Sequence, residues 1–214
     1  MDIITDYDAL SVRSDEVNVI GTNPEIRDII TQLKAKVRED KLSGLSAIQL
    51  GYDKRIFVIN FNGEVITFIN PIITETKGFE LSRETCPSLP GKTYLRPRFN
   101  NIRITYTTPL GKIESRQLLG LAAKVFQHEV DHLDGILLSD IGLEIDKDFD
   151  KATKKEKNEV INAYLDSLDI KQKILDEQVE NDADLKQIRD AVDFIEAVKT
   201  GKVTLEEDKK DGGK

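Results

Sequence analysis

The chain has 214 residues, of which 33% are charged, and its formal net charge is -8. This acidic balance, without an arginine-rich patch, argues against a protein that binds nucleic acid directly. No apolar run reaches membrane-spanning length, and the first thirty residues contain no apolar stretch behind a basic start. We therefore expect a cytoplasmic protein that does not bind a membrane.

The first half of the chain predicts one helix and several strands. Residues 1–22 have no clear period and predict an irregular arm, after which Asn23 caps a helix whose first position is Pro24. Asn62-Gly63 is a strong hairpin signal between β-rich segments. The apolar stripe of the helix is Ile26, Ile29, Ile30, Leu33 and Val37. The predicted strands are 55–61, 64–70, 72–81, 102–108 and 112–117.

A small, apolar segment at 42–51 contains one amide side chain, Gln49. Glycine and small residues allow the backbone to approach another group closely, and an uncharged donor can face a developing oxyanion. By itself this indication is weak, because segments of glycine and small residues are usually just turns.

The segment 127–135 holds both histidines of the chain, His128 and His132, in a His-Glu-x-x-His pattern. Residues four apart share one helix face, so two imidazoles can bind one metal ion with Glu129 beside them for proton transfer. Apolar residues before the motif should turn this face towards a core. They are Leu118, Leu121, Ala122 and Val125.

A catalytic metal site needs a third protein ligand and an open position for water. The metzincin pattern would place that ligand at Leu138, so this class is excluded. From the residues alone two candidates remain, Glu159 on a later helix, as in thermolysin-like peptidases, and the only cysteine, Cys86. A single cysteine cannot form an internal disulfide, which leaves its thiol free for chemistry.

The order of elements predicts an α+β fold in which antiparallel β-sheets pack around a central metal-binding helix. Two amphipathic helices follow, at 151–168 and 174–198, and then a polar tail. We therefore predict a catalytic domain at 1–150 and a C-terminal helical extension with a frayed polar end at 151–214.

Three separated stretches resemble, in order, the three motifs of the peptide deformylase family. They are Gly44-Leu45-Ser46-Ala47-Ile48-Gln49, Glu84-Thr85-Cys86-Pro87-Ser88 and His128-Glu129-Val130-Asp131-His132. The resemblance implies a metal-dependent amidohydrolase that removes the N-terminal formyl group from formylmethionyl nascent peptides and releases formate.

The resemblance also implies a role for each matching residue. Cys86, His128 and His132 would hold one divalent metal ion, iron(II) in bacterial members, replaceable by zinc, nickel or cobalt. A metal-bound water would be the nucleophile, Glu129 the general base and acid, and Gln49 the oxyanion donor. The substrate-binding residues would be Ser43, Gly44, Leu121 and Val125, and Arg98 would pair with Glu84 as structural support.

Some residues depart from the family pattern. The residue after the metal-binding cysteine normally donates its backbone N–H to the formyl oxygen, and Pro87 has no N–H, so we expect a slower enzyme. Leu42, Ser46 and Thr93 replace a glycine, an alanine and a substrate-contacting arginine. Three hypotheses follow: a deformylase, a thermolysin-like endopeptidase that uses Glu159, and a non-catalytic binding protein that acts at the ribosome through its helical extension.

Overall fold

One antiparallel sheet organises the protein. The structure is a computed structural model that describes residues 2–18 and 23–176. Within these ranges six strands are hydrogen-bonded in the order β1 to β5, with β6 beside β4. The strands are β1 (Gly44–Ser46), β2 (Ile56–Phe61), β3 (Glu64–Glu84), β4 (Thr93–Thr107), β5 (Ile113–Leu119) and β6 (Leu143–Ile145). The predicted α+β class is confirmed, with one sheet in place of several.

Six α-helices lie in the described ranges. They are α1 (Tyr7–Leu10), α2 (Pro24–Glu39), α3 (Gly120–Leu133), α4 (Leu138–Ile141), α5 (Lys147–Lys151) and α6 (Lys154–Asp176). A 3-10 helix, Ala47–Leu50, directly follows β1. The predicted start of α2 is confirmed, because the Asn23 side chain accepts a hydrogen bond from the backbone of Glu25 and Pro24 begins the helix. All residues of its predicted apolar stripe are buried.

Strand β2 is buried on both of its faces. Ile56 and Val58 pack in one apolar cluster with α2. The alternate residues Phe57 and Ile59 pack in a second cluster with α3. The rings of Phe57 and Phe126 meet edge to face with centroids 5.0 Å apart. Helix α3 is therefore held firmly against the sheet.

Strand β3 corrects the prediction of separate strands at 64–70 and 72–81. The chain runs on through Pro71 as one strand, with a shift of register between Ile69 and Ile72. Asn70 adopts a φ of 46°, and its side chain exchanges two hydrogen bonds with the backbone of Val17, at 2.9 and 2.8 Å. The N-terminal arm thus supports the irregularity that proline imposes.

The prediction of which residues of the metal-binding helix face the core is partly wrong. Leu118 is buried but belongs to β5, and Leu121 is 71% exposed. Ala122 and Val125 are only partly buried. The buried apolar residues of α3 are Ala123, Phe126, Val130 and Leu133.

The C-terminal part of the described chain packs on the sheet. Tyr164 and Leu165 of α6 are buried beside Leu81 and Leu143. The Tyr164 hydroxyl donates a 2.7 Å hydrogen bond to the carbonyl of Ile141. The predicted helix at 151–168 corresponds to α6, which begins at Lys154, while Lys151 ends the separate helix α5. The predicted helix at 174–198 and the polar tail lie outside the described residues, apart from the last turn of α6.

No helix in the described ranges combines the length and the apolar character that crossing a membrane would require.

Candidate metal centre

The two histidines lie one turn apart on α3, and Cys86 follows the end of β3. The ligand atoms of Cys86, His128 and His132 all lie within 4.8 Å of one another. The Cys86 Sγ is 3.2 Å from His132 Nε2, and the two imidazole centroids are 5.0 Å apart. The three groups predicted as ligands therefore converge on one point.

This convergence fits a metal ion. Bonds of about 2.0–2.3 Å in a tetrahedral site place ligand atoms about 3.3–3.6 Å apart, which small side-chain movements reach from the observed spacing. His128 Nδ1 lies 3.0 Å from Glu84 Oε2. Nδ1–H of His128 therefore donates a hydrogen bond to Glu84, and Nε2 is left for the ion, as is usual for histidine ligands.

A buried chain of charges supports His128. Arg98 donates two hydrogen bonds to Glu84, at 2.7 and 2.8 Å, and a third to Asp131 at 2.6 Å. Arg96 also donates to Asp131, at 2.6 Å. Burial would raise the pKa of Glu84, but the charge and hydrogen bonds of Arg98 hold it well below its usual range. Glu84 is therefore a fixed anion behind His128.

The roles of Arg96 and Asp131 in this chain of charges were missed by the sequence analysis. Arg96 and Arg98 are alternate residues of β4, so their side chains point to the same face of the sheet. That spacing was a usable signal. Asp131 lies in the histidine motif and three residues after His128, but nothing in the motif alone indicated two arginine partners.

Burial acts on the pKa values of three groups in the histidine motif, Glu129, His132 and His128. Burial raises the pKa of Glu129 to about 7, and its Oε2 has no hydrogen-bond partner among the described residues. Burial and the neighbouring His128 hold the pKa of His132 well below its usual value. For His128 burial acts the same way, but hydrogen bonds with Cys86 and Glu84 raise its pKa to about 10.

The amide of Gln49 has a fixed orientation. Its Oε1 accepts hydrogen bonds from the backbone N–H and the hydroxyl of Ser46, both at 3.0 Å. Its Nε2 donates to the Ser88 hydroxyl at 3.0 Å and to Cys86 Sγ at 3.6 Å. The donor end of Gln49 therefore faces the metal-ligand group.

A cavity of about 300 Å³ opens beside these residues. Its lining includes all the predicted substrate-binding residues, Ser43, Gly44, Leu121 and Val125, together with Gln49, Pro87, His128 and Glu129. Gly44 is packed closely, because a Cβ atom there would lie 2.5 Å from Glu129 Oε1.

One wall of the cavity is the free edge of the sheet. Strand β1 pairs only with β2 among the described strands. The Asn60 N–H donates to the carbonyl of Ser43 at 2.8 Å, so Ser43 faces β2. Because successive residues of an antiparallel pair alternate, the N–H and carbonyl of Gly44 point away from β2. They are available to an added strand.

Glu159, the alternative third ligand, is not near this group. It lies on α6 with a side chain 66% exposed and 3.9 Å from Lys155. The groups that do converge are a cysteine sulfur, two imidazoles and a buried carboxylate beside a cavity. Such a site on an α+β fold is that of a metal-dependent hydrolase.

Comparison with known proteins identifies the family. The family model described as polypeptide deformylase matches residues 1–148. The peptide deformylase of Dictyoglomus turgidum is 33% identical over 135 residues, which are 63% of this chain and 87% of that protein. The chain therefore belongs to the polypeptide deformylase family. It is an enzyme, a hydrolase of protein biosynthesis, as the motifs predicted.

Solved structures agree with this assignment. The peptide deformylase of Thermotoga maritima has a TM-score of 0.60 and 30% identity, covering 65% of this chain and 94% of that one. A class I type b peptide deformylase of Acinetobacter baumannii, bound to Met-Ala-Ser, has a TM-score of 0.58 and 25% identity, covering 62% and 91%. The family is metal-dependent, and Cys86, His128 and His132 form a group that can hold the ion.

Proposed function

We propose that the chain hydrolyses the formyl group of N-terminal formylmethionine in peptides and releases formate. Cys86, His128 and His132 would hold one divalent ion, and we propose iron(II), since a thiolate and two imidazoles suit iron, zinc, cobalt and nickel alike. The main support is the convergence of these three ligand atoms within 4.8 Å at a cavity bounded by a free strand edge.

The bound ion would act as a Lewis acid and lower the pKa of a coordinated water towards ~7. Glu129 follows His128 in the chain and is buried, with one carboxylate oxygen that has no partner in the described chain. That oxygen can take a proton from the attacking water and pass it to the leaving amine. Its burial keeps bulk water from competing for the proton.

Gln49 would stabilise the negative charge that develops on the formyl oxygen. Its carbonyl oxygen is held by two hydrogen bonds from Ser46, so its Nε2 is directed before substrate arrives. A preorganised donor of this kind is worth about 10²–10³-fold in rate. Pro87 lines the same cavity and offers no backbone N–H, so Gln49 would carry more of this task than in relatives with another residue there.

The peptide would bind as a strand added to the outer edge of β1. The free N–H and carbonyl of Gly44 would pair with the peptide backbone. The methionine side chain would contact Leu121 and Val125 on α3, with Ser43 at the rim of the cavity. The Met-Ala-Ser ligand of the Acinetobacter baumannii structure is a peptide of the class we expect here.

We also propose a division of the chain into a catalytic part, 1–150, and an extension, 151–214. The extension would contact the ribosome, where formylated nascent peptides appear, and the protein would act in the cytoplasm. Such a location would keep the Cys86 ligand reduced. Cosedimentation with ribosomes by the full chain, compared with a chain ending at residue 176, tests the contact.

The central test is formate release from formyl-Met-Ala-Ser by anaerobically purified, iron-loaded protein. We expect turnover by the parent and retained iron but a loss of about 10²–10⁴-fold in kcat for Glu129→Gln. A parent that binds iron and releases no formate would overturn the proposal and favour the non-catalytic binding protein, the reading that Pro87 motivates. Turnover that survives Glu129→Gln unchanged would overturn the role of Glu129.

A further inference from the structure

The charged residues that line the cavity differ in exposure according to their sign. Two carboxylates line it, Glu84 and Glu129, and both belong to the buried metal end. Three cations line the rest, Lys41, Arg83 and Lys124. We call these three residues the cationic mouth. No exposed carboxylate lines the cavity in the described chain, so an arriving substrate meets positive charge first.

The ion pairs of the cationic mouth are weak enough for a substrate carboxylate to replace the carboxylate of the protein. Arg83 contacts Asp150 at 2.7 Å and Lys124 contacts Glu80 at 2.5 Å, and both carboxylates lie outside the cavity lining. These carboxylates are 51% and 41% exposed. Exposed pairs of this kind are worth about 0.2–1 kcal/mol, so a substrate carboxylate can compete for either cation.

Lys41 has no carboxylate within ion-pair distance among residues 2–18 and 23–176. It is exposed and adopts a φ of 56° at the turn after α2, three residues before β1 begins. The next residue, Leu42, donates its N–H to the carbonyl of Val37, which fixes this turn. The backbone therefore holds Lys41 beside the edge strand, while its ammonium group remains free.

We propose that the cationic mouth makes the enzyme select formyl peptides with acidic side chains after the formylmethionine. The inference rests on the proposed deformylase function, because a peptide on the edge of β1 with its formyl group at the metal end passes the mouth. The net charge of -8 would repel such peptides at long range. At about 0.1 M salt, however, charges beyond roughly 10 Å are screened, and the mouth dominates.

The test compares two isosteric substrates, formyl-Met-Glu-Glu-amide and formyl-Met-Gln-Gln-amide. The amide end removes the terminal carboxylate. One exposed pair is worth up to about fivefold in affinity, so we expect kcat/KM about three- to tenfold higher for the glutamate peptide at 50 mM salt, mainly through KM. At about 0.5 M salt the ratio should fall below about twofold.

Substitutions of the three mouth residues test whether the cationic mouth causes the preference for the glutamate peptide. Lys41→Gln should lower the ratio, and the triple change with Arg83→Gln and Lys124→Gln should bring it to about one. Lys112→Gln is the matched control, since Lys112 is 75% exposed and outside the cavity lining. It removes one positive charge, as Lys41→Gln does, and should leave the ratio unaltered.

A binding measurement separates this inference from the proposed function. Calorimetric titration of the iron-loaded Glu129→Gln variant with both peptides gives the affinity ratio without turnover. Equal affinities and equal kcat/KM for the two peptides overturn the cationic mouth while leaving the deformylase proposal intact. Preferred binding of the glutamate peptide without formate release by the parent overturns the deformylase proposal alone. Failure of both peptides to bind, together with no formate release by the parent, overturns both.

Discussion

Gly44 makes a contact that couples the edge strand to the proposed proton-transfer group. Its φ is outside the left-handed region, so alanine is allowed by the backbone. A Cβ there would lie 2.5 Å from Glu129 Oε1, whereas ordinary contact begins at 3.4 Å, so the carboxylate must move by about 0.9 Å. Because a displacement near 1 Å can cost about 10²-fold, we expect Gly44→Ala to lower kcat/KM about 100-fold.

The assay is formate release from formyl-Met-Ala-Ser, with iron content measured on the same samples. Iron should stay near one per chain, because none of the metal ligands is among the atoms that the new methyl group would touch. A double-mutant cycle tests the route, and Gly44→Ala should cost less than about threefold in the Glu129→Gln background. A 100-fold loss that persists in that background, or a loss below about threefold in the parent, would refute the steric argument.

Five other substitutions test the site and its support. Cys86→Ser should abolish stoichiometric iron binding, whereas Glu159→Ala should leave it unchanged; the reverse result by elemental analysis would revive the thermolysin-like alternative. Pro87→Leu restores a backbone N–H and should raise kcat/KM for formyl-Met-Ala-Ser by about tenfold or more; an unchanged value would contradict the account of Pro87. Arg98→Met leaves a buried carboxylate without its main partner and should cost about 3–5 kcal/mol in urea unfolding, so a cost below about 1 kcal/mol would show that the pair is dispensable. Burial raises the pKa of Tyr164 to about 12. Stability should therefore decline from about pH 10, the pKa of an unfolded tyrosine, up to about pH 12, and thermal unfolding of Tyr164→Phe should lack part of that decline.

Local signals explain what the sequence could predict of the fold. The cap and proline that begin α2 act within one turn, and Asn62-Gly63 closes a hairpin between neighbouring segments. These features need no distant partner. The continuation of β3 through Pro71 could not be read in this way. It depends on Asn70 holding the N-terminal arm at Val17, a contact between residues 53 apart.

The orientation of α3 shows a second limit. Its sequence has two sets of apolar residues at helical spacing, and both are compatible with an amphipathic helix. One set, with Phe126 and Val130, packs on the sheet. The other, with Leu121 and Val125, lines the cavity. Periodicity identifies an apolar face but not what covers it, so a cavity wall and a core wall look alike in sequence.

The surroundings of the two histidine ligands shift their pKa values in opposite directions. His128 is fixed by a hydrogen bond to Glu84, which Arg98 keeps ionised. His132 has no partner at Nδ1 in the described chain, and burial together with the neighbouring His128 disfavours its charged form. Glu84 thus orients His128 but also raises its pKa to about 10, so an incoming ion would displace a proton from Nε2 of His128, whereas His132 is already uncharged. The motif spacing predicted the pair but not this asymmetry, because it arises from Glu84 and Arg98, which reach His128 from the neighbouring strands β3 and β4.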